Sequence, residues 1–140
     1  MKFSVNQQDL QKSLGYCQGV IEKRSTLPIL SNILIEAANS KLKITATDLD
    51  LIFVNEISNI KIFDEGKTTT SSSIMFDIVR KIPSGSQINF ENTGESKLQL
   101  ESNKSLFNLN SINASEFPIT DENFNENEFT INSKDLLKLL

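Results

Sequence analysis

Histidine is absent from this 140-residue chain, and cysteine occurs only once. Because histidine is the commonest general base and a frequent metal ligand, its absence removes the usual centre of acid–base and transition-metal catalysis. The single cysteine, Cys17, excludes an internal disulfide and any zinc site built from cysteine and histidine, and it fits a reducing cytoplasm. We therefore expect neither a metal nor a cofactor.

Nucleotide-binding motifs and long apolar runs are missing as well. The chain has no P-loop and no GxGxxG motif, and no segment approaches the ~20 apolar residues of a membrane span. Its first ten residues lack the charged-then-apolar pattern of a secretion signal. A formal net charge of −4 argues against bulk affinity for nucleic acid, since non-specific binding depends on neutralising phosphates. These features indicate a cytoplasmic α+β protein that is not an enzyme and binds no membrane.

Segments of alternating polarity predict about eight short strands. In KLKITATD, for example, Leu42, Ile44 and Ala46 point one way while lysines and threonines point the other. Turn signals such as Asn39-Ser40 and Thr93-Gly94 separate the runs. The predicted strands cover residues 2–6, 29–38, 41–48, 51–60, 66–71, 86–92, 96–101 and 104–110.

Two segments have the period of a helix instead. In the first, an apolar face is formed by Leu10, Leu14, Cys17 and Ile21, and Asn6 is a good N-cap. The residues on the opposite face are neutral or basic, and Lys12 is the charged residue among them. In the second, the predicted apolar stripe is Ile74, Ile78 and Ile82 with Met75 and Val79 beside it, and Arg80 and Lys81 occupy the last turn.

The two ends of the chain resemble each other. Residues 3–14 read FSVNQQDLQKSL and residues 129–140 read FTINSKDLLKLL. The identical pairs are Phe3/Phe129, Asn6/Asn132, Asp9/Asp135, Leu10/Leu136, Lys12/Lys138 and Leu14/Leu140. Any capped strand-to-helix unit produces some likeness of this kind. A tandem repeat of whole domains explains it better, with residues 1–120 as the first domain, 121–128 as a linker and 129–140 as the start of a second domain.

Several longer motifs resemble one family, the bacterial sliding clamps, which are the beta subunits of DNA polymerase III. The chain opens with MKFSV and continues with RSTLPILSNILIEA, TDLDL, FDIVRKIPSG and NASEFP, each similar to a family segment in the same order. The resemblance covers residues 1–120 and continues to 140. It implies a DNA-clamp fold in which two amphipathic helices are backed by about eight strands in two antiparallel sheets.

The resemblance also implies a function and partners. Sliding clamps are non-catalytic processivity factors: two subunits of three domains each form a homodimeric ring around double-stranded DNA, independently of sequence, and tether the polymerase. The expected partners are therefore DNA, the catalytic subunit of DNA polymerase III and the clamp loader. Binding by topology requires no high affinity, so the net charge of −4 is no objection.

Five residues are the candidate DNA contacts. Arg24 matches a family arginine that touches the DNA backbone, whereas its neighbour Lys23 matches nothing and is better explained as part of a solvated turn. Ser73 stands where the family has a basic residue. Lys12, Arg80 and Lys81 are the charges on the solvent faces of the two helices.

Three residues are candidates for the subunit interface. Phe107 and Leu109 share one face of the last strand and match apolar interface residues of the family, and Lys104 is the basic residue nearby. Burial in the domain's own core is the alternative for both apolar residues, because alternate residues of a strand usually face a core.

Two other functions match parts of the sequence. Asp48 and Asp50 form a D-x-D pair that would suit Mg²⁺ in a nuclease or phosphotransferase, but no third ligand is evident. A turn in which Asp48 bonds to nearby backbone amides explains the pair better. A peptide-binding module that extends its sheet through an exposed edge strand is the second alternative.

Overall fold

The computed structural model describes residues 1–21, 26–94, 96–118 and 130–140. The strands are β1 Lys2–Asn6, β2 Asn32–Ala38, β3 Lys41–Thr47, β4 Ile52–Ser58, β5 Lys61–Asp64, β6 Gly66–Ser71, β7 Gln87–Asn92, β8 Lys97–Ser102 and β9 Ser105–Ile112. The helices are α1 Gln7–Cys17, α2 Ser72–Val79 and α3 Ser133–Leu139, and short 3₁₀ helices lie at Pro28–Ser31 and Ala114–Glu116. No helix among these residues is long and apolar enough to cross a bilayer.

All nine described strands belong to one antiparallel sheet in the order β4-β3-β2-β6-β9-β8-β7-β1-β5. The sheet narrows sharply at its middle. β6 and β9 are paired only through Thr69 with Ile112 and Thr70 with Ser111, whereas β8 and β9 are paired along six residues. The two sheets expected from the sequence are thus the two halves of this sheet, joined at a narrow bridge.

Buried hydroxyl groups reinforce that bridge. The Thr69 hydroxyl donates to the carbonyl oxygen of Ile112 at 2.8 Å, and the Thr70 hydroxyl donates to that of Asn110 at 3.0 Å. The side-chain amide of Asn32 donates in turn to the Thr69 hydroxyl at 3.2 Å. Because each bond satisfies a polar group that is shielded from water, these contacts hold the two half-sheets in one register.

The fold contains one more strand than predicted. No strand is predicted between residues 60 and 66, but Asn59, with φ of 61°, makes a turn after which β5 pairs with β1. A four-residue strand with one half-buried apolar residue, Ile62, gives little alternation to recognise. The predicted strand 29–38 was also too long, because Pro28 opens a 3₁₀ helix and β2 begins at Asn32.

Both long helices pack on the same hydrophobic core. The predicted face of α1 is confirmed, since Leu10, Leu14, Cys17 and Ile21 are all buried there. The predicted stripe of α2 was wrong at its first position: Ile74 is 54% exposed, and Met75 and Val79 face the core instead. The helix begins at Ser72, and residues four apart share a face, so Met75 and Val79 lie over the sheet and Ile74 is turned aside.

The resemblance between the chain ends extends to the helix caps. The side-chain oxygen of Asn6 accepts a bond from the Gln8 amide at 2.9 Å, and that of Asn132 accepts one from the Lys134 amide at 2.9 Å. The side chains of α3 are all exposed. The boundaries of a second domain stay a prediction, and the proposed linker, residues 121–128, lies outside the described residues.

Candidate nucleic-acid interface

The helices α1 and α2 run antiparallel and are tied together by glutamines. At one end, the buried side chain of Gln7 donates to the carbonyl oxygen of Val79 at 2.8 Å. At the other end, Gln18 donates to the hydroxyl of Ser72 at 2.9 Å. These amides hold the two helices together rigidly without adding charge. The charge of the helical face therefore depends on its exposed residues.

The outward face of the two helices carries a shallow hollow of about 610 Å³. It is lined by polar and aromatic residues and one cation: Gln8, Gln11, Lys12, Gly15, Tyr16, Phe76 and Ser84. A Cβ at Gly15 would meet only the Phe76 ring edge at 3.8 Å, so packing does not require glycine there. The hollow contains no acidic side chain among the described residues.

The structure brings two of the predicted cations to this face. Lys12 lines the hollow, and the guanidinium of Arg80 lies 5.9 Å from the centre of the Phe76 ring. A cation over an aromatic ring at about this distance is attracted by the ring's electrons. Arg80 also makes an ion pair with Asp77, with 3.0 Å between Nη2 and Oδ1.

The other predicted DNA contacts are placed differently. Lys81 is exposed but lines a separate hollow beside β9. Ser73 is half-buried in the first turn of α2, and Arg24 lies outside the described residues. The assignment of all five residues to DNA therefore stays a prediction.

Two aromatic residues of the helical face were missed by the sequence analysis. Tyr16 is 52% exposed and packs at 5.9 Å against the ring of Phe53, and Phe76 lies between the two helices. A signal for Tyr16 was available, because Gln8, Lys12 and Tyr16 follow one another at intervals of four along the solvent face. Phe76 had no such signal, since its position depends on how α2 is rotated against α1.

A second hollow, of about 440 Å³, separates α2 from β9. Its lining is apolar at Ile74, Ile78, Ile82, Pro83 and Phe107, and it also includes the charged residues Asp77 and Lys81. Phe107 is half-buried, whereas Leu109 is only 6% exposed and belongs to the domain core. Leu109 therefore lies in the core, which was the alternative to an interface position. Phe107 is the apolar candidate that reaches the hollow.

The outer edge of β9 beside this hollow is open. The carbonyl groups of Asn110 and Ile112 face β6, whereas the Ser111 amide donates to Ser96 on the β8 side. Because backbone groups alternate along a strand, those of Leu106 and Asn108 must point away from β8 as well. Neither residue pairs with a strand on that side among the described residues. Lys104 is exposed in the turn before β9.

The pair Asp48 and Asp50 forms a turn. A carboxylate oxygen of Asp48 accepts bonds from the amides of Asp50 at 3.0 Å and Leu51 at 2.6 Å. The described residues contain no group of three potential metal ligands from histidine, cysteine, aspartate and glutamate. The turn interpretation is therefore confirmed for Asp48.

Cys17 offers no nucleophile, because burial raises the pKa of its thiol to about 12.

Comparisons with known proteins agree on one family. A model described as the DNA polymerase III beta subunit, N-terminal domain, matches residues 1–121. The beta sliding clamps of Caulobacter vibrioides and Escherichia coli K12 are 33% and 35% identical to all of this chain, which spans 38% of their length. The crystal structure of the Pseudomonas aeruginosa DNA polymerase III beta subunit superposes with a TM-score of 0.93 at 29% identity, over 99% of this chain and 37% of that one.

The role of Asp48 in the turn can be tested against its neighbour. We expect Asp48→Ala to lower the free energy of unfolding by about 1–2 kcal/mol, because two backbone amides lose a charged acceptor. Asp50→Ala should change it little, since the exposed Asp50 carboxylate accepts no hydrogen bond among the described residues. Urea titration of both variants, with and without Mg²⁺, measures this. Mg²⁺-dependent stabilisation that both substitutions abolish would contradict the turn assignment.

Proposed function

Because the chain belongs to the DNA polymerase III beta subunit family, whose N-terminal domain model its residues 1–121 match, we propose that it forms the first domain of a sliding clamp. In this role it encircles double-stranded DNA as part of a ring and keeps the replicative polymerase on its template. The observation that supports this best is the helical face: two antiparallel helices, joined by neutral amides, present Lys12 and Arg80 on the side away from the sheet.

The composition of that face suits a surface past which DNA moves. A few separated cations attract phosphates, and phosphate contacts position DNA without reading its sequence. Tight phosphate contacts would oppose sliding, whereas a closed ring retains DNA without them. We propose Lys12 and Arg80 as DNA contacts of this face, and Arg24, Ser73 and Lys81 as further DNA contacts of the chain. Arg24 is proposed as the strongest because it matches the family's backbone-contacting arginine.

The open edge of β9 is proposed as the contact with a second subunit. An unpaired strand beside an apolar hollow favours the addition of another strand, which satisfies the backbone groups of Leu106 and Asn108. A side chain of the added strand would enter the hollow beside Phe107. Lys104 would supply a positive charge near the hollow. Two subunits joined in this way close a homodimeric ring.

The remaining partners follow from the same role. A clamp acts with the catalytic subunit of DNA polymerase III and with a clamp loader that opens the ring around DNA. The protein itself catalyses no reaction in this proposal, and the D-x-D pair that supported a nuclease is engaged in its own turn. We also propose residues 1–120 as the first domain and residues 129–140 as the beginning of the next.

The DNA role predicts different effects for two adjacent cations. In the assembled ring, Arg24→Ala should reduce loading onto nicked circular DNA, since one phosphate contact is lost, and leave the ring intact by sedimentation. Lys23→Ala removes the same charge one residue away and should have a much smaller effect. Loading is measured by gel filtration of clamp, loader and plasmid. Equal loss in both variants would mean that general charge, and not a contact at Arg24, attracts the DNA.

The interface role predicts an asymmetry between the two faces of β9. Phe107→Asp should abolish ring assembly, because it places a charge in the apolar hollow. Leu106→Asp is the matched control: Leu106 is 56% exposed on the opposite face of the same strand and should permit assembly. Analytical ultracentrifugation gives the oligomeric state, and circular dichroism shows whether each variant is folded. A folded Phe107→Asp variant that still forms rings would refute the interface assignment.

A further inference from the structure

An acidic residue stands beside the arginine of the helical face. Asp77 precedes Arg80 by three residues, its carboxylate lies 3.0 Å from the guanidinium, and the two side chains are 58% and 52% exposed. Asp77 lies in the last turn of α2, which ends at Val79. A carboxylate at this end of a helix opposes the helix dipole, so the position is unfavourable for the helix itself. Its ion pair is with Arg80, and its side chain also lines the hollow between α2 and β9.

Two neighbours act on Arg80 in different ways. The Phe76 ring, 5.9 Å from the guanidinium, holds it near the outward hollow of α1 and α2. Asp77, which lines the hollow between α2 and β9, neutralises part of the charge of the guanidinium. An exposed ion pair of this kind is weak, and a phosphate group can replace the carboxylate. Arg80 can thus exchange one anion for another without leaving the helical face.

We propose that Asp77 is a positioning residue that competes with DNA phosphate for Arg80. The inference rests on the proposed function, in which the helical face meets duplex DNA. When a phosphate arrives, Arg80 gains one anionic partner and releases another, so the contact is weaker than that of a free arginine. When DNA advances, Asp77 recaptures the guanidinium. The competition keeps each contact short-lived, which is the property that a surface needs if DNA is to slide past it.

The test is a titration of the 140-residue chain with a duplex of arbitrary sequence at several salt concentrations. We expect Asp77→Asn to tighten binding about two- to fivefold, the range in which exposed ion pairs contribute. The dependence of log K on log salt should become steeper, by at most about 0.9, because Asp77 no longer offsets the charge that Arg80 brings to the phosphate. The Nε–Hε NMR signal of Arg80 should shift further on addition of duplex than it does in the unmodified chain.

Two controls separate this mechanism from general charge. Asp9→Asn removes the same charge from α1, where Asp9 lines a different hollow and makes no ion pair among the described residues. It should tighten binding less than Asp77→Asn. In an Arg80→Gln background, Asp77→Asn should give no more than Asp9→Asn does. Equal gains from the two acidic substitutions, or a full gain without Arg80, would overturn the inference.

The same titration distinguishes failure of the proposed function. If duplex shifts no backbone signal of α1 or α2 in any variant at low salt, the helical face does not meet DNA, and the inference falls with the proposal. If duplex shifts these signals and Asp77→Asn behaves as Asp9→Asn does, the DNA-facing surface stands and the role of Asp77 alone is refuted.

Discussion

The pairing of β6 with β9 ends after two residue pairs, and the proposed contact with a second subunit depends on that ending. A fully paired junction would leave β9 with partners on both sides and the sheet without a gap. Here the hydroxyls of Thr69 and Thr70 secure the bridge at Ile112 and Asn110, and the rest of β9 continues without β6. α2 starts directly after β6, so the hollow between α2 and β9 occupies the space that a longer pairing would close.

The helices α1 and α2 are subject to a different constraint: they must be held rigidly together without carrying a large charge. Neutral glutamine bridges achieve this at both ends of the helix pair, and they are insensitive to the salt that screens ion pairs. Few charged residues remain on the outward face, and Asp77 partly neutralises one of them, Arg80. In the proposed role, a chain with a net charge of −4 can therefore still present a surface that attracts DNA locally and releases it readily.

Local patterns in the sequence were sufficient for much of the fold. The buried face of α1, its Asn6 cap and the alternation of β3 depend on neighbouring residues, and each is confirmed. Features set by packing between distant segments were not accessible in this way. The rotation of α2 that buries Met75 and exposes Ile74, and the pairing of the strand β5, both depend on where another element lies.

The candidate site shows the same division. Family motifs identified Arg24 and Phe107, and helical spacing identified Lys12, but no pattern distinguished Leu109 in the core from Phe107 at the hollow. Alternation places both side chains on one face of β9, and only the three-dimensional distance from α2 separates them. Burial at 6% for Leu109 makes that distinction.

Amide hydrogen exchange of the 140-residue chain at a concentration where it is monomeric tests the open edge most directly. The amides of Phe107 and Leu109 face β8 and should exchange slowly, whereas those of Leu106 and Asn108 face the unpaired side and should exchange as exposed edge amides do. On assembly into a ring, the Leu106 and Asn108 amides should become protected. Four equally protected amides in the monomer would contradict the account, because the edge proposed for the second subunit would already be occupied.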